Sequence, residues 1–557
     1  MPKRYLVTSA LPYASGRLHV GHVAGAYLPA DIYVRYLRRC GLDAVYICGS
    51  DENGAPITIA AEKEGISPQE LVDRFYDLNS TTFGKLGMSF DYYGRTTSEV
   101  HAETSRAFFT KLCEGGHIED KETEQVYCPH CERFLSDRYV EGTCPHCAAA
   151  GARGDQCDAC GKLVDALKLV DATCKICGRA PEKRRTRHWY LKLDDFEPRL
   201  KEWLADKRHW RENVFRFTKN FLDEGLRSRA ITRDLDWGIP VPLEEARGKV
   251  LYVWFDAPIG YLSFTKEWAA ARGEPDAWKP YWCDAGTAIV HFIGKDNVVF
   301  HAITWPAMMM GEGSLELPAN VVANEFLNIK GRKSSKSRNW AVWVEDALEK
   351  FSADQLRYYL CANAPEGRDT DFTWSDFAER ANTELADVLG NFVHRALSFL
   401  GRYLGGEVPA AGALEERDRA AIEEAARAGV EVGREIEGFH LKAALQRVMR
   451  CAKHANQYFD ALAPWATRKT DAARTATTLH VSLRLVDALA AMMHPFLPES
   501  AARLDAMLGR TEPGAPRVWA RIGTEGPQVG EALPAPEPLF RKIEPDEVEA
   551  AESALEA

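Results

Sequence analysis

Apolar positions follow two rhythms along this chain. In the first part, unbroken apolar runs alternate with helical stretches. RYLVTSALPY (4–13) reads as a strand and LHVGHVAGAYLPADIYVRYLRRC (18–40) as the helix behind it. A second strand in LDAVYICGSDENG runs out into Asp51 and Glu52, and GTAIVHFIGKDNVVFHAITWPAMM (286–309) repeats the style as strand, polar turn and helix. Such units predict the α/β class, an open parallel sheet whose ligands sit beyond the carboxyl ends of its strands. From about residue 375 apolar residues recur at helical spacing instead. In ELADVLGNFVHRALSFL (384–400) they stand at 385, 388, 389, 392, 396, 399 and 400, and LKAALQRVMRCAKHANQYF (441–459) and TTLHVSLRLVDALAAMMHPFL (477–497) repeat the stripe. These segments predict an antiparallel helical bundle, closed by the prolines at 495 and 498.

Between the two halves of the predicted sheet lies a stretch with neither rhythm. It holds four C-x-x-C pairs, Cys128/Cys131, Cys144/Cys147, Cys157/Cys160 and Cys174/Cys177, among glycines, prolines and charges. Each pair is a tight turn offering two thiolates, and a tetrahedral all-thiolate zinc site needs two such turns. Eight cysteines therefore predict two structural Zn²⁺ sites, whose binding would supply folding free energy that so polar a stretch lacks. Spacing alone does not say which pairs share an ion. A redox role is the weaker reading, since no pair sits in a thioredoxin-like strand and helix. The remaining cysteines, Cys40, Cys48, Cys113, Cys283, Cys361 and Cys451, read as buried hydrophobes.

Composition narrows the picture little: 46% hydrophobic and 27% charged residues describe an ordinary globular chain. No window reaches the length of a membrane span, and the N-terminus lacks a signal-peptide pattern, so a cytoplasmic protein is expected. The net charge of −11 argues against a wholly basic nucleic-acid binder, though CKICGRAPEKRRTRH (174–188) gathers positive charge locally.

Two stretches suggest polyphosphate chemistry. His19 and His22, around Gly21, fall where a strand gives way to a helix, and a helix N-terminus is an anion site by its free N–H groups and partial charge. Far along the chain, NIKGRKSSKSRN (328–339) sets Lys330, Arg332, Lys333, Lys336 and Arg338 among small residues, a cationic loop able to close over phosphates. Each has a plain alternative, a helix cap and a solvated loop. Together they are far more specific.

With TSALPYASGRLHVGH, ICGSDENG, YVWFDAPIGY (252–261), HFIGKDNVVFH (291–301), the lysine-rich loop and NQYFDALAPW (456–465), the chain resembles the class I aminoacyl-tRNA synthetases, in particular those for methionine. The resemblance implies a Rossmann-like parallel sheet, split by a zinc-binding connective insertion and followed by an α-helical anticodon-binding bundle. Its implied parts are residues 1–115 and 231–325 for the catalytic halves, 116–230 for the insertion and 326–378 for the lysine loop and stem-contact region. Residues 379–505 form the bundle, and 506–557 an acidic, partly flexible extension with no further domain, which favours a monomer without added protein partners. The implied reaction joins L-methionine and ATP, with Mg²⁺, to methionyl-adenylate, then charges initiator and elongator tRNA(Met).

By the same resemblance, His19, His22, Lys333 and Lys336 are catalytic, and with Gly21, Gly294 and Asp296 they bind ATP. Ala10, Leu11, Tyr13, Asp51, Trp254, Ala257, Pro258, Tyr261 and His301 hold methionine. Asn391, Arg395 and Trp465 read the anticodon. The family also implies that Cys144/Cys147 pair with Cys157/Cys160 around one zinc, and the outer pairs with each other. Two departures stand out: K-S-S-K-S replaces the common K-M-S-K-S, and Val20 replaces an isoleucine. The rivals are a nucleotidyltransferase, which would be far shorter, a cysteine- or leucine-type synthetase, and a non-catalytic tRNA-binding relative.

Overall fold

The computed structural model describes residues 2–135, 139–154, 157, 159–160, 164–333, 340–510 and 519–556. Its central sheet has five parallel strands, β1 (Arg4–Ser9), β2 (Asp43–Ser50), β3 (Tyr92–Arg95), β4 (Thr287–Gly294) and β5 (Asn320–Asn324), in the order β5-β4-β1-β2-β3. In the middle, Val7 stands between Val290 and Tyr46, all three buried. The first strand is shorter than its apolar run. Past Ala10, whose N–H still donates to Phe292 O, the chain bends toward the end of β2, where Asp51 N–H donates to Pro12 O at 2.9 Å and Ala14 N–H to Asp51 O at 2.8 Å.

The following helix begins at Val20–His22, passes through a π-helical turn at Val23–Tyr27 and continues as α1 (Leu28–Arg39). The π turn has a visible support. The buried Asn324 side chain donates to Ala24 O at 3.2 Å and to Gly25 O at 3.0 Å, carbonyls freed by the widened helix. A long, largely apolar helix, α2 (Val253–Ala271), packs on β2 and β3 and carries Pro258 inside it.

The insertion rises on an antiparallel ladder between Ile118–Cys128 and Glu182–Leu191. Beyond it Val126, Leu135, Tyr139, Val140, Ala152, Val164 and Leu169 gather with buried cysteines in a small core of their own. The module docks on the helix Ala55–Glu64 through Tyr139 and Thr58, whose hydroxyls lie 2.6 Å apart.

The helical part comprises α3 (Asn391–Leu404), α4 (Glu416–Glu437), α5 (Leu441–Leu462) and α6 (Ala472–Met493). A ten-residue π-helical stretch, Ala381–Gly390, precedes α3, so the regular stripe expected over 384–400 is locally unwound. Residues 519–556 return to the body. Trp519 Nε1 donates to Gly429 O at 3.0 Å, and α7 (Pro545–Glu556) brings Glu552 to 3.9 Å from Lys330.

Of the scattered cysteines, Cys48, Cys361 and Cys451 are buried, Cys40 and Cys113 are half-buried, and Cys283 is exposed. Cys283 departs from expectation because it ends the short surface helix Lys279–Trp282. Among the described residues no helix is long and apolar enough to cross a membrane.

Candidate functional site

His19 is the extended N-cap of Val20–His22, and its backbone N–H donates to His22 Nδ1 at 3.2 Å. An acceptor role for Nδ1 leaves the ring proton on Nε2, so His22 presents an N–H donor at its far end. The two imidazoles stack with centroids 3.5 Å apart. Gly21 permits a close approach here: a Cβ would lie 3.0 Å from the His19 ring and 3.4 Å from Leu327 O, so a side chain would oblige its neighbours to shift.

Leu327 opens the strand Leu327–Ile329, which leads into the lysine loop. The loop's other stem also meets the histidine turn, where Val20 N–H donates to Val342 O and Val344 N–H to Leu18 O, both at 3.0 Å. The 328–339 loop is thus anchored at both ends against the His19–His22 turn. Lys336 and residues 334–339 lie outside the described residues. Lys333 is exposed, with its ammonium 4.1 Å from the Phe326 ring centroid. Lys295 approaches the same ring at 4.1 Å, beside Asp296 at the turn after β4 and Gly294. The polar turn of the second sheet half and the lysine loop therefore share one aromatic support.

Beyond the β1 and β2 ends aromatic, apolar and acidic side chains gather. Trp254 stacks on Phe300 with centroids 4.0 Å apart and meets Tyr13 edge-on at 6.2 Å. Ala10, Ala257 and Pro258 are buried and Leu11 half-buried, its methyl 3.1 Å from where a Cβ on Gly260 would stand. Tyr261 Oη lies 2.8 Å from His301 Nε2, and His301 Nδ1 is 3.0 Å from Asn297 O. A carbonyl only accepts, so Nδ1 carries the proton and the Tyr261 hydroxyl donates to Nε2. Burial pushes His301 down to about 4, leaving a neutral ring at neutral pH.

Asp51 is 2% exposed, and its Oδ1 has no hydrogen-bond partner among the described residues. Burial first, and then the charge of Asp256, push its carboxyl well above the usual range. A buried carboxyl with one oxygen left without a partner can receive a small cation. Asn53, His101, Asp256 and Phe300 were not among the residues predicted from sequence. Asp256 and Phe300 lie inside the motifs that mark the pocket, whereas nothing local marks His101.

The eight paired cysteines form two clusters, Cys128, Cys131, Cys174 and Cys177, and Cys144, Cys147, Cys157 and Cys160. In each, four sulfurs lie within 4.8 Å of one another. Cys128 and Cys177 sulfurs are 3.5 Å apart and Cys147 and Cys157 sulfurs 3.7 Å, spacings far from a disulfide and suited to thiolates around one ion. Burial opposes ionisation of Cys128, but the Cys131 N–H and neighbouring thiols bring it down to about 7. Four soft donors and no open position fit structural zinc, and the partition is the one the family resemblance implies. The purified chain is expected to carry two zinc equivalents by elemental analysis. Cys147→Ala should retain one, from the outer cluster; retention of both would break the assignment of Cys147 as a ligand.

In the bundle, Trp465 is 44% exposed on the turn Pro464–Thr467, thrown outward where Ala463 adopts φ 39° at the end of α5. The Arg395 guanidinium lies 5.4 Å from the Trp465 ring centroid and donates to Asp460 at 2.6 Å. Asn391, exposed, stands one turn earlier on α3.

Comparison with known proteins adds independent findings. The family model "tRNA synthetases class I (M)" matches residues 5–397, and "Anticodon binding domain of methionyl tRNA ligase" matches 408–556. The chain is 50% identical to a methionine–tRNA ligase of Porphyromonas gingivalis, over 98% of this chain and 80% of that one. It is 48% identical to one of Pyrococcus furiosus, over 98% and 76%. A crystal structure of Mycobacterium tuberculosis methionyl-tRNA synthetase bound by methionyl-adenylate superposes with a TM-score of 0.81 at 28% identity, covering 97% of this chain and all of that one.

Proposed function

The chain belongs to the class I methionyl-tRNA synthetases, and on that footing we propose which of its residues carry each part of the methionine–tRNA ligase reaction. The enzyme makes methionyl-adenylate from methionine and ATP and passes the methionyl group to tRNA. In the first step a carboxylate oxygen bonds to the α-phosphorus and the bond to pyrophosphate breaks. The nucleophile is already charged, so no general base is needed, and the protein's share is positioning and charge stabilisation.

Convergence of the histidine turn with both stems of the lysine loop is the observation that carries the assignment. His19 and His22 take the α- and β-phosphates, helped by the close backbone approach that Gly21 permits. Lys336, with Lys333 in support, takes the β- and γ-phosphates. Gly294 and Asp296 flank the nucleotide at the end of β4, and Mg²⁺ enters with ATP as part of the substrate. Asp51 receives the methionine ammonium, while Ala10, Leu11, Tyr13, Trp254, Ala257 and Pro258 wall the side chain. Tyr261 and the neutral His301 frame the sulfur, a polarizable partner for aromatic edges. The same reading keeps the division at residues 116, 231, 326, 379 and 506, with initiator and elongator tRNA(Met) both as substrates.

Asn391, Arg395 and Trp465 are assigned to the anticodon, the exposed indole for stacking and the polar pair for hydrogen bonding, as single-stranded loops are read. Base stacking on one aromatic ring contributes about 1–3 kcal/mol. Trp465→Ala should therefore raise the KM for tRNA about 5- to 150-fold while ATP–pyrophosphate exchange is spared. Equal losses in both assays would assign Trp465 to packing instead.

A further inference from the structure

Behind the proposed ammonium receptor lies a second carboxylate that the reaction scheme leaves unused. Asp256 is 1% exposed, on the first turn of α2, and one of its oxygens has no partner among the described residues, just as at Asp51. Asn53, two residues after Asp51, reaches the second acid: its side-chain amide donates to Asp256 Oδ2 at 2.8 Å. No lysine or arginine among the described residues pairs with either acid.

Among the described residues, Glu52, His101 and Tyr261 are the titratable groups that face the pair. Glu52 is bound to Arg95 at 3.0 Å. His101 faces Asp256 Oδ2 at 3.3 Å and bonds Ser263 Oγ through its other nitrogen at 2.9 Å. Tyr261 is committed to His301. Two buried carboxyls, one held by the asparagine two residues after the other and neither with a fixed countercharge, cannot both ionise at low cost.

We propose that the Asp51–Asp256 pair holds one proton in the empty pocket and that the entering ammonium group of methionine drives it out to solvent. Asp256 is then a positioning residue: by keeping its own charge, held by Asn53 and His101, it keeps the proton on Asp51 until a cation arrives. Asp256 Oδ2 accepts from Asn53 at 2.8 Å and faces His101 at 3.3 Å, partners that favour its charged form, while burial raises the Asp51 carboxyl well above the usual range. The exchange balances without another reactant. A neutral Asp51 carboxyl and an ammonium become an ion pair, and one proton passes to the buffer. The inference rests on the reading of Asp51 as the ammonium receptor.

The test is calorimetry of methionine binding to the full chain at one pH, in phosphate and in Tris, whose ionisation heats differ. A buffer-dependent heat corresponding to proton release is expected. Below the titration of the pair, methionine affinity should fall close to tenfold per pH unit. Asp256→Asn should release fewer protons and hold its affinity to lower pH, while Asp51→Asn should bind methionine poorly in either buffer. Buffer-independent heat for the unaltered chain overturns the proposal even where a variant fails to fold, and leaves the ammonium assignment standing if Asp51→Asn still weakens binding. An unaltered affinity in Asp51→Asn removes that assignment itself. An Asp256→Asn chain with the parental proton count removes Asp256 from the account.

Discussion

Replacing His22 with asparagine is expected to slow methionine-dependent ATP–pyrophosphate exchange by about 10²–10³-fold, the usual effect of deleting one preorganised transition-state donor. Asparagine is the informative choice. Its Oδ1 falls near the place of the imidazole Nδ1 and can still accept the His19 N–H, so the local cap survives. What it lacks is the distal Nε2–H, the group assigned to the phosphates. Glutamine reverses the exchange by reaching the distal position with an amide N–H. Parent, glutamine and asparagine should therefore rank in that order in kcat, with the KM for methionine nearly constant. Exchange within a few-fold of the parent in His22→Asn would remove His22 from the chemistry and leave it a cap.

The parts of this protein readable in advance are those built from local pattern. Apolar runs marked β1, β2 and β4 because strands buried on both faces have no polar alternation to hide them. The thiolate turns announced themselves by spacing, since two sulfurs on one tight turn serve little else. β3 was missed: Tyr92–Arg95 is only four residues long, with a single buried glycine at its centre. Helix α4 was missed for a different reason. Its buried face is mostly small, Ala425, Ala428, Gly429, Val432 and Gly433 with Asp418 and Ile436 nearer its ends, and leaves a weak apolar stripe.

The candidate site divides in the same way. His19, His22 and the lysine loop stand out in the sequence only when taken together, since each alone reads as a helix cap or a solvated loop. The Asn53, His101 and Asp256 network is not, because hydrogen bonds between residues 43 to 203 positions apart exist only after folding. The π turns at Val23–Tyr27 and Phe300–Thr304 escape for a related reason. The first widens the helix directly after His22, and the second contains His301. In the first, the compensating group is Asn324, on a remote strand.

Arg357→Ala is expected to cost about 3–5 kcal/mol of stability, read as a fall in the equilibrium denaturation midpoint. Arg357 is completely buried where the catalytic body meets the helical part. It donates to Asp31 Oδ2 at 2.6 Å on α1, to Phe496 O at 2.8 Å, to Pro495 O at 3.1 Å and to Leu86 O at 3.3 Å. Truncation leaves three carbonyls and one carboxylate short of a donor in a dry interface, and Arg35 and Ser89 cannot serve them all. Burial opposes the Asp31 charge, yet Arg357, Arg35 and Ser89 together hold its carboxyl well below the usual carboxylate range. A carboxyl depressed on folding stabilises above its unfolded value and loses that contribution as pH falls toward its folded one. The gap between parent and Arg357→Ala should therefore be widest above about pH 4 and narrow in more acid solution. The double variant Asp31→Asn, Arg357→Met removes both charges and should recover part of the loss, because the penalty lies in an unpaired buried ion more than in a missing attraction. A double variant as unstable as the sum of the two single ones would show that the ion pair carries no coupling and that shape alone decides the interface.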